Sequence, residues 1–233
     1  MHDEGVSVVV PVYNGAGHLA AALESILTQE SRPREIIVVD DGSTDATPSV
    51  VSRFSDRIHP IRQDNLGPSA ARNIGIEHAR APLIAFLDAD DVWPPGALMH
   101  QLAALEANPA AGVAWGLSNR VIGADARPPR DDWHGRPQWA LSVGSMLFRR
   151  RVFDDAGHFD PSLRIGEDLD FVIRITEHKI RIVRHAHVVC EKALHAGNLS
   201  REGAATDRAH FVAIGKAFKR RRANTECQKS QNT

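Results

Sequence analysis

Three groups of carboxylates have the residue types and spacing to do chemistry. Asp88, Asp90 and Asp91 follow directly on the apolar run PLIAFL. Like charges this close repel one another, so the group needs a cation, a proton or open water around it. Clustered oxygen ligands suit Mg2+ or Mn2+, and Mg2+ is commonly held by one or two carboxylates together with substrate phosphates. Asp40, Asp41 and Gly42 end a second apolar run, EIIVV. A carboxylate there can accept hydrogen bonds from an imide or a ribose, although Asp, Gly and Ser also gather at turns for backbone reasons alone. Glu167, Asp168 and Asp170 crowd the start of the helical stretch GEDLDFVIRITEH, where the helix dipole favours acids.

The elements that must position these groups alternate. VSVVVPV (6–12), EIIVVD (35–40) and PLIAFLD (82–88) are short β-branched runs that read as buried parallel strands, and RIHPIR (57–62) is a weaker one. HLAAALESILTQ (18–29) has helical spacing, with Leu19, Leu23, Ile26 and Leu27 on one face. Thr44 or Asp45 is expected to cap the next helix, with Pro48 in its first turn. DNLGPSAARNIGIEHAR (64–80) reads as a Gly-Pro turn and a helix, and Pro94 and Pro95 are expected to start a helix that runs to about 107. Strand and helix in alternation predict an α/β domain with a mostly parallel sheet flanked by helices. Ligands of such sheets bind beyond the carboxyl ends of the strands. YNGAG, DDGSTD and DADD all lie at those ends, so three polar turns are expected on one rim.

The second half is less regular. Strands are expected over 113–123 and 179–189, a strand, short helix and turn over 142–160, and helices over 166–178 and 205–222. The stretch 124–139 reads as a long loop that carries Trp133, Trp139, Arg127, Arg130 and Arg136. Its aromatic faces suit sugars and its arginines an anionic acceptor, or the tryptophans only anchor the loop. The expectation is one domain over 1–222, with a nucleotide-binding half to about 110, a smaller acceptor-side half after it, and a disordered tail at 223–233.

Composition excludes several classes. The 233 residues carry a formal charge of −1, which gives no global pull toward nucleic acid. No apolar run reaches the ~18 residues of a membrane span, and MHDEGVSVVV lacks the basic start and long apolar stretch of a signal peptide. Cys190 and Cys227 lie far apart and read as free thiols, so a cytoplasmic location is expected. The basic run KAFKRRR (216–222) ends a helix, where bases suit the dipole. Contact with the inner face of an anionic membrane is the second expectation for it.

Taken in order, the motifs resemble the family 2 inverting glycosyltransferases of the GT-A fold. The resemblance covers roughly residues 6–200. It rests on VSVVVPVYNG, IIVVDDGSTDAT, NLGPSAARNIGIEHARAPLIAFLDADDVW, SMLFRRRVFDDAGHFDPSL, GEDLDFVIR and ALHAGNLS. It implies a sugar-nucleotide donor, most simply a UDP-sugar, and Mn2+ or Mg2+. Asp90 would ligate the metal, Asp88 the metal or ribose, and His195 the metal or the diphosphate. Pro11, Val12 and Tyr13 would line the base, Asp41 would contact it, and Asp88 with Ala89 would border the donor. Arg72 would lie near the base and diphosphate, where a guanidinium pairs well with phosphate oxygens, or else be a solvated helix arginine. Asp91 either joins the metal cluster or simply favours the helix dipole ahead of Pro94. Asn65, Gly67 and Asn73 would shape the backbone, and Ser200 and Arg201 would approach the diphosphate. Glu167 and Asp168 form the catalytic pair, with Asp168 as the base that takes the acceptor hydroxyl's proton and Asp170 as a structural acid. The acceptor would be a glycan, a lipid-linked molecule or a protein.

Three rivals share parts of this pattern. LDADDVW also resembles the motif of haloacid-dehalogenase-type phosphatases, with Asp88 as nucleophile and Asp90 as acid/base. That motif ends a first strand, whereas two good strands precede this one. A non-catalytic nucleotide-sugar-binding protein would have little use for GEDLD. A nucleotidyltransferase would need an early basic, glycine-rich loop, and YNGAG has no Lys or Arg.

Overall fold

The structure is a computed structural model and describes residues 5–122, 136–194 and 210–222. Strand β1 (Val6–Val12) is buried at every position, as its unbroken β-branched character requires. It pairs in parallel with β2 (Glu35–Asp40) on one side and β4 (Leu83–Phe86) on the other. The short strand β3 (His59–Arg62) extends β2 and forms an edge, which accounts for its weak signal. Beyond β4 the sheet continues through β6 (Met146–Arg149), β5 (Val113–Ile122) and β7 (Ile182–Leu194). Only β6 runs against its neighbours among these described strands, so the sheet is mostly parallel.

Helices cover both faces. On one face α1 (Leu19–Leu27), α2 (Thr47–Arg53) and α4 (Ala97–Glu106) close a core with Val6, Val8, Val10 and Val12 of β1. On the other, α3 (Pro68–His78), α5 (Arg151–Ala156) and α6 (Glu167–Glu177) pack over Val9, Ile37 and Phe86. A last helix, α7, spans 210–222. The second face holds an aromatic group of Phe86, Phe148, Phe153, Phe159 and Phe171, with centroids such as Phe159–Phe171 only 4.6 Å apart. This gives a rigid floor beneath the ends of β4 and α6.

Two glycines set close approaches that the site depends on. A Cβ at Gly75 would stand 2.2 Å from Val9 Cγ1, so glycine lets α3 lie directly on β1. Arg72, one turn earlier on the same face, is thereby pressed into the interior. Gly42 turns with φ +78°, and a Cβ there would meet the Asn65 backbone nitrogen at 2.9 Å.

Several expected boundaries move. Pro94 and Pro95 precede α4 rather than opening it, because Gly96 at φ +77° turns the chain first. Asp45 accepts from Thr47 N at 2.9 Å, but it stands one residue before the N-cap, and neither it nor Thr44 caps α2. The strand expected over 113–123 runs from Val113 to Ile122. Strand β7 runs five residues past its expected end, to Leu194. Its register against β5 slips between Trp115 and Leu117 and again between Leu117 and Ser118. The Trp133 and Arg127 part of the expected loop lies outside the described residues, as do His195, Ser200, Arg201 and the 223–233 tail.

Candidate active site

The three polar turns do meet. Asn14, with φ +50°, donates its N–H to Ser43 Oγ at 2.9 Å, and its Oδ1 accepts from Thr44 N at 2.8 Å. Gly15 N donates to Thr47 Oγ1 and Ala16 N to Asp45 Oδ2, which laces the first turn to the second. The space a side chain at Gly15 would fill is bounded by Val12 and Ala89, so the third turn closes against the first. Pro11 and Val12 are buried in β1, and Ala89 is nearly so. Tyr13 is half-exposed and stands on the rim.

Asp40 and Asp41 divide the labour at the end of β2. Asp40 accepts from Ser43 N and from Arg62. Asp41 accepts from Gln63 Nε2, Leu66 N and Gly67 N at 2.6–2.9 Å, and so fixes the turn before α3. Asn73 clamps Phe159 through both backbone groups, which places its work in the backbone.

Arg72 is not the solvated helix arginine that the sequence allows. It is buried and faces three acids. Its Nη2 donates to Asp88 Oδ1 at 2.7 Å, its Nη1 to Glu167 Oε1 at 2.9 Å, and Asp168 Oδ1 is 3.7 Å from Nη1. The guanidinium also lies over Phe159, 5.5 Å from the ring centroid. Burial alone would weaken its charge, but Asp88, Asp168 and Glu167 hold it firmly protonated. One side chain of α3 thus ties the DADD turn to the first turn of α6.

Asp91 is likewise not a helix-dipole acid, since α4 begins only at Ala97. It is buried, and β7 supplies its partners: Lys192 Nζ at 2.5 Å and Ala193 N at 3.1 Å. Lys192 also reaches Ser142 Oγ at 3.2 Å and stands 3.6 Å from Asp88 Oδ2. The sequence reading missed Lys192. Its only signal was a base in a half-buried strand, a hundred residues from the acids it serves. Asp170 is structural as expected, held by Arg174 and Arg220.

The electrostatics follow from this census. Among the described residues, Asp88, Asp91, Glu167 and Asp168 face two cations, Arg72 and Lys192, with Asp90 beside them. Burial tends to raise the Asp88 carboxyl, but Arg72 and Lys192 outweigh it and hold it at about 2. Asp91 is pushed up to about 7 by burial, with Asp88 and Asp90 adding to it against Lys192. Asp168 rises to about 7, chiefly by burial and then by Glu167 and Asp88, against the pull of Arg72. Its Oδ2 accepts from Val143 N at 3.1 Å, while its buried Oδ1 accepts no hydrogen bond.

A divalent cation fits this surplus of acid. Ligand oxygens of Asp88, Asp90 and Asp91 lie within 4.8 Å of one another, and carboxylates suit a hard metal. Asp91 is buried and hydrogen-bonded to Lys192, and Asp88 Oδ2, the oxygen turned away from Arg72, stands 3.6 Å from the same ammonium.

The sequence profile described as glycosyl transferase family 2 matches residues 7–166, which include all three rim turns and reach the start of α6. The chain belongs to this family. A relative, the succinoglycan biosynthesis protein ExoO of Rhizobium meliloti, is 37% identical over 187 residues, covering 70% of this chain and 53% of that protein. The glycosyltransferase GlyA of Streptococcus pneumoniae is 45% identical over 92 residues, 38% of this chain and 13% of that one. The chain therefore spans about half or less of the length of these curated relatives. The mannosyltransferase PcManGT of Pyrobaculum calidifontis, solved with GDP-Man and Mn2+, superimposes with a TM-score of 0.67 at 25% identity, over 92% of this chain and 64% of that one. S. aureus TarS with UDP-GlcNAc gives 0.67 at 22%, over 83% and 60%. The fold is thus GT-A, as the resemblance implied. A phosphatase built on Asp88 is set aside by the family.

Proposed function

We propose that the chain transfers a sugar from a nucleotide-sugar to an acceptor hydroxyl, by one displacement that inverts the anomeric carbon. The observation that carries this is Asp168. One of its oxygens is fixed by a backbone N–H, the other is buried without a hydrogen bond, and its pKa lies near 7. A general base is most effective with its pKa close to working pH. In the step, the acceptor oxygen bonds to the anomeric carbon as the bond from that carbon to the phosphate oxygen breaks. The hydroxyl proton goes to the Asp168 carboxylate, and the nucleoside diphosphate leaves with the bonding electron pair.

Mn2+ or Mg2+, held by Asp90 and Asp88, would offset the charge that grows on the departing diphosphate. Arg72 keeps Asp88 and Glu167 in register with each other. Lys192 neutralises Asp91 and adds a second positive group beside the acids. In this reading the exposed Tyr13 would stack on the base, and Pro11, Val12 and Asp41 would border it. A uridine nucleotide is the proposed donor. A GDP-sugar is the second reading, supported by the likeness to the GDP-Man complex. The acceptor is a glycan, a lipid-linked molecule or a protein, and the proposed location is cytoplasmic.

The test is nucleoside diphosphate release from a panel of UDP- and GDP-sugars, with Mn2+, with Mg2+ and with EDTA. Turnover that survives EDTA sinks the metal assignment. Asp168→Asn should end transfer and spare donor binding; loss of donor binding would make Asp168 a donor ligand instead.

A further inference from the structure

A tight turn, Val143–Ser145, lies buried just before β6 and serves two parts of the site. Val143 N donates to Asp168 Oδ2 at 3.1 Å, and Ser142 Oγ, one residue earlier, accepts from Lys192 Nζ at 3.2 Å. The turn is closed by Ser145 N and Ser145 Oγ, which both donate to Ser142 O, at 3.1 and 2.9 Å. Gln101 ties this turn to the helix layer. Its side chain is buried in α4, and Nε2 donates to Ser145 O at 2.8 Å.

The Gln101 amide is fixed at both ends. A carbonyl only accepts, so Nε2 must face Ser145 O, and Oε1 then faces His185 Nε2 at 3.2 Å. His185 Nε2 therefore carries the ring hydrogen. Its Nδ1 is buried and has no hydrogen-bond partner among the described residues. Gly116 makes room for the ring, since a Cβ there would stand 2.8 Å from His185 Cε1. His185 lies within the slip of β7 against β5, between Arg184 and Val188, and 5.6 Å from His187, which stacks on His100 of α4. Burial, then His187 and His100, push His185 down to about 4, so this anchor stays a neutral donor around neutral pH. A satisfied core amide would serve stability wherever it bonded. This one bonds the same turn whose N–H fixes Asp168.

We propose, on the reading of Asp168 as the base, that Gln101 is a positioning residue for sugar transfer. It holds Ser145 O, and through the closed turn it keeps Val143 N–H on the Asp168 carboxylate. A drifting turn would let that carboxylate swing, and a displacement of about 1 Å at a reacting group can cost roughly a hundredfold in rate. The donor side should be spared, because Lys192 keeps Asp91 and Asp88 when the turn moves.

The test is a pair of variants of the whole chain. Gln101→Met keeps the length and loses both hydrogen bonds. Gln101→Glu keeps the size and can pair with His185, yet its carboxylate cannot donate to Ser145 O. The substrate is the UDP- or GDP-sugar of highest turnover in the donor panel. In both variants kcat for nucleoside diphosphate release should fall roughly ten- to hundredfold per folded molecule, with KM for the nucleotide-sugar unchanged. Without ligand, amide hydrogen exchange should quicken more at Val143 than along β1. If Gln101→Met does not fold, Gln101→Glu decides by the same readings. Parent-like kcat and Val143 exchange overturn the proposal, as does a loss that falls on KM alone. Exchange that quickens equally at Val143 and in β1 makes Gln101 a stability residue and overturns it too. An inactive Asp168→Asn beside parent-like Gln101 variants leaves the transferase proposal standing without this one. Should Val143 exchange respond while Asp168→Asn keeps full turnover, the base assignment fails and this proposal with it.

Discussion

The rim side and the back of α6 each carry an aspartate from the same first turn. On the back, Asp170 accepts from Arg174 Nε at 2.9 Å and Arg220 Nη1 at 2.9 Å, one bond to each oxygen. On the rim, Asp168 has one backbone donor, a more distant guanidinium, and an oxygen with no hydrogen bond. Both are acids at a helix N-terminus, but Asp170 is fully buried whereas the Asp168 side chain keeps 18% exposure. Burial is one difference between them. The other is satisfaction: Asp170 is saturated by its neighbours, and Asp168 keeps one oxygen that accepts no hydrogen bond.

That contrast can be broken most directly by exchanging the acids. Asp168→Asn should lower kcat by roughly 10²–10⁴-fold, with the fold intact by circular dichroism. Asp170→Ala should do the reverse. It strands two guanidiniums and should cost about 2–3 kcal/mol in urea unfolding, short of the full penalty because Arg220 is 32% exposed. Equal losses of activity in the two variants would erase the distinction.

The two sides should also differ in pH dependence. The folded pKa of Asp168, about 7, lies above its ordinary 3.8, so the folded state holds that proton more tightly. Its stabilising contribution is present below about pH 4 and is lost as pH rises through about 7. Melting temperature should therefore fall over that window in the parent and fall less in Asp168→Asn, while the transfer rate climbs over the same window. A melting profile unchanged by Asp168→Asn would mean that the carboxyl is not buried in solution. A smaller effect is expected at the neighbouring cluster. Lys192→Met removes a competing cation, so Mn2+ should bind the chain several-fold more tightly by calorimetry, relative to the parent. Weaker Mn2+ binding would make Lys192 a support of the metal site and not its competitor.

The parts of this site that could be read from sequence are those made locally. The β-branched runs of β1, β2 and β4 announce buried strands, and their polar ends announce the rim. Asp168 was reached through the pattern GEDLD and the family resemblance. Arg72 was ambiguous because α3 is nearly as polar as it is apolar. Its burial comes from Gly75 pressing that helix onto Val9, a contact that only the folded chain supplies. Lys192 was invisible for a stronger reason. Its partner acids are a hundred residues away, and its depth in the site depends on how far β7 extends and in what register.

That register has a consequence of its own. Trp115 pairs with Arg184, yet Arg120 pairs with Lys192, so β7 takes up extra residues between those two rungs. The charge delivered to Asp91 is thus set by a length of chain, counted off well away from the acids. Deleting one residue between 185 and 189 would present Ala193 in place of the ammonium, and inserting one would present Glu191, a sixth carboxylate among five. Substitutions in that stretch leave the count unchanged, whereas a single insertion or deletion would reset the polarity of the donor side at a distance.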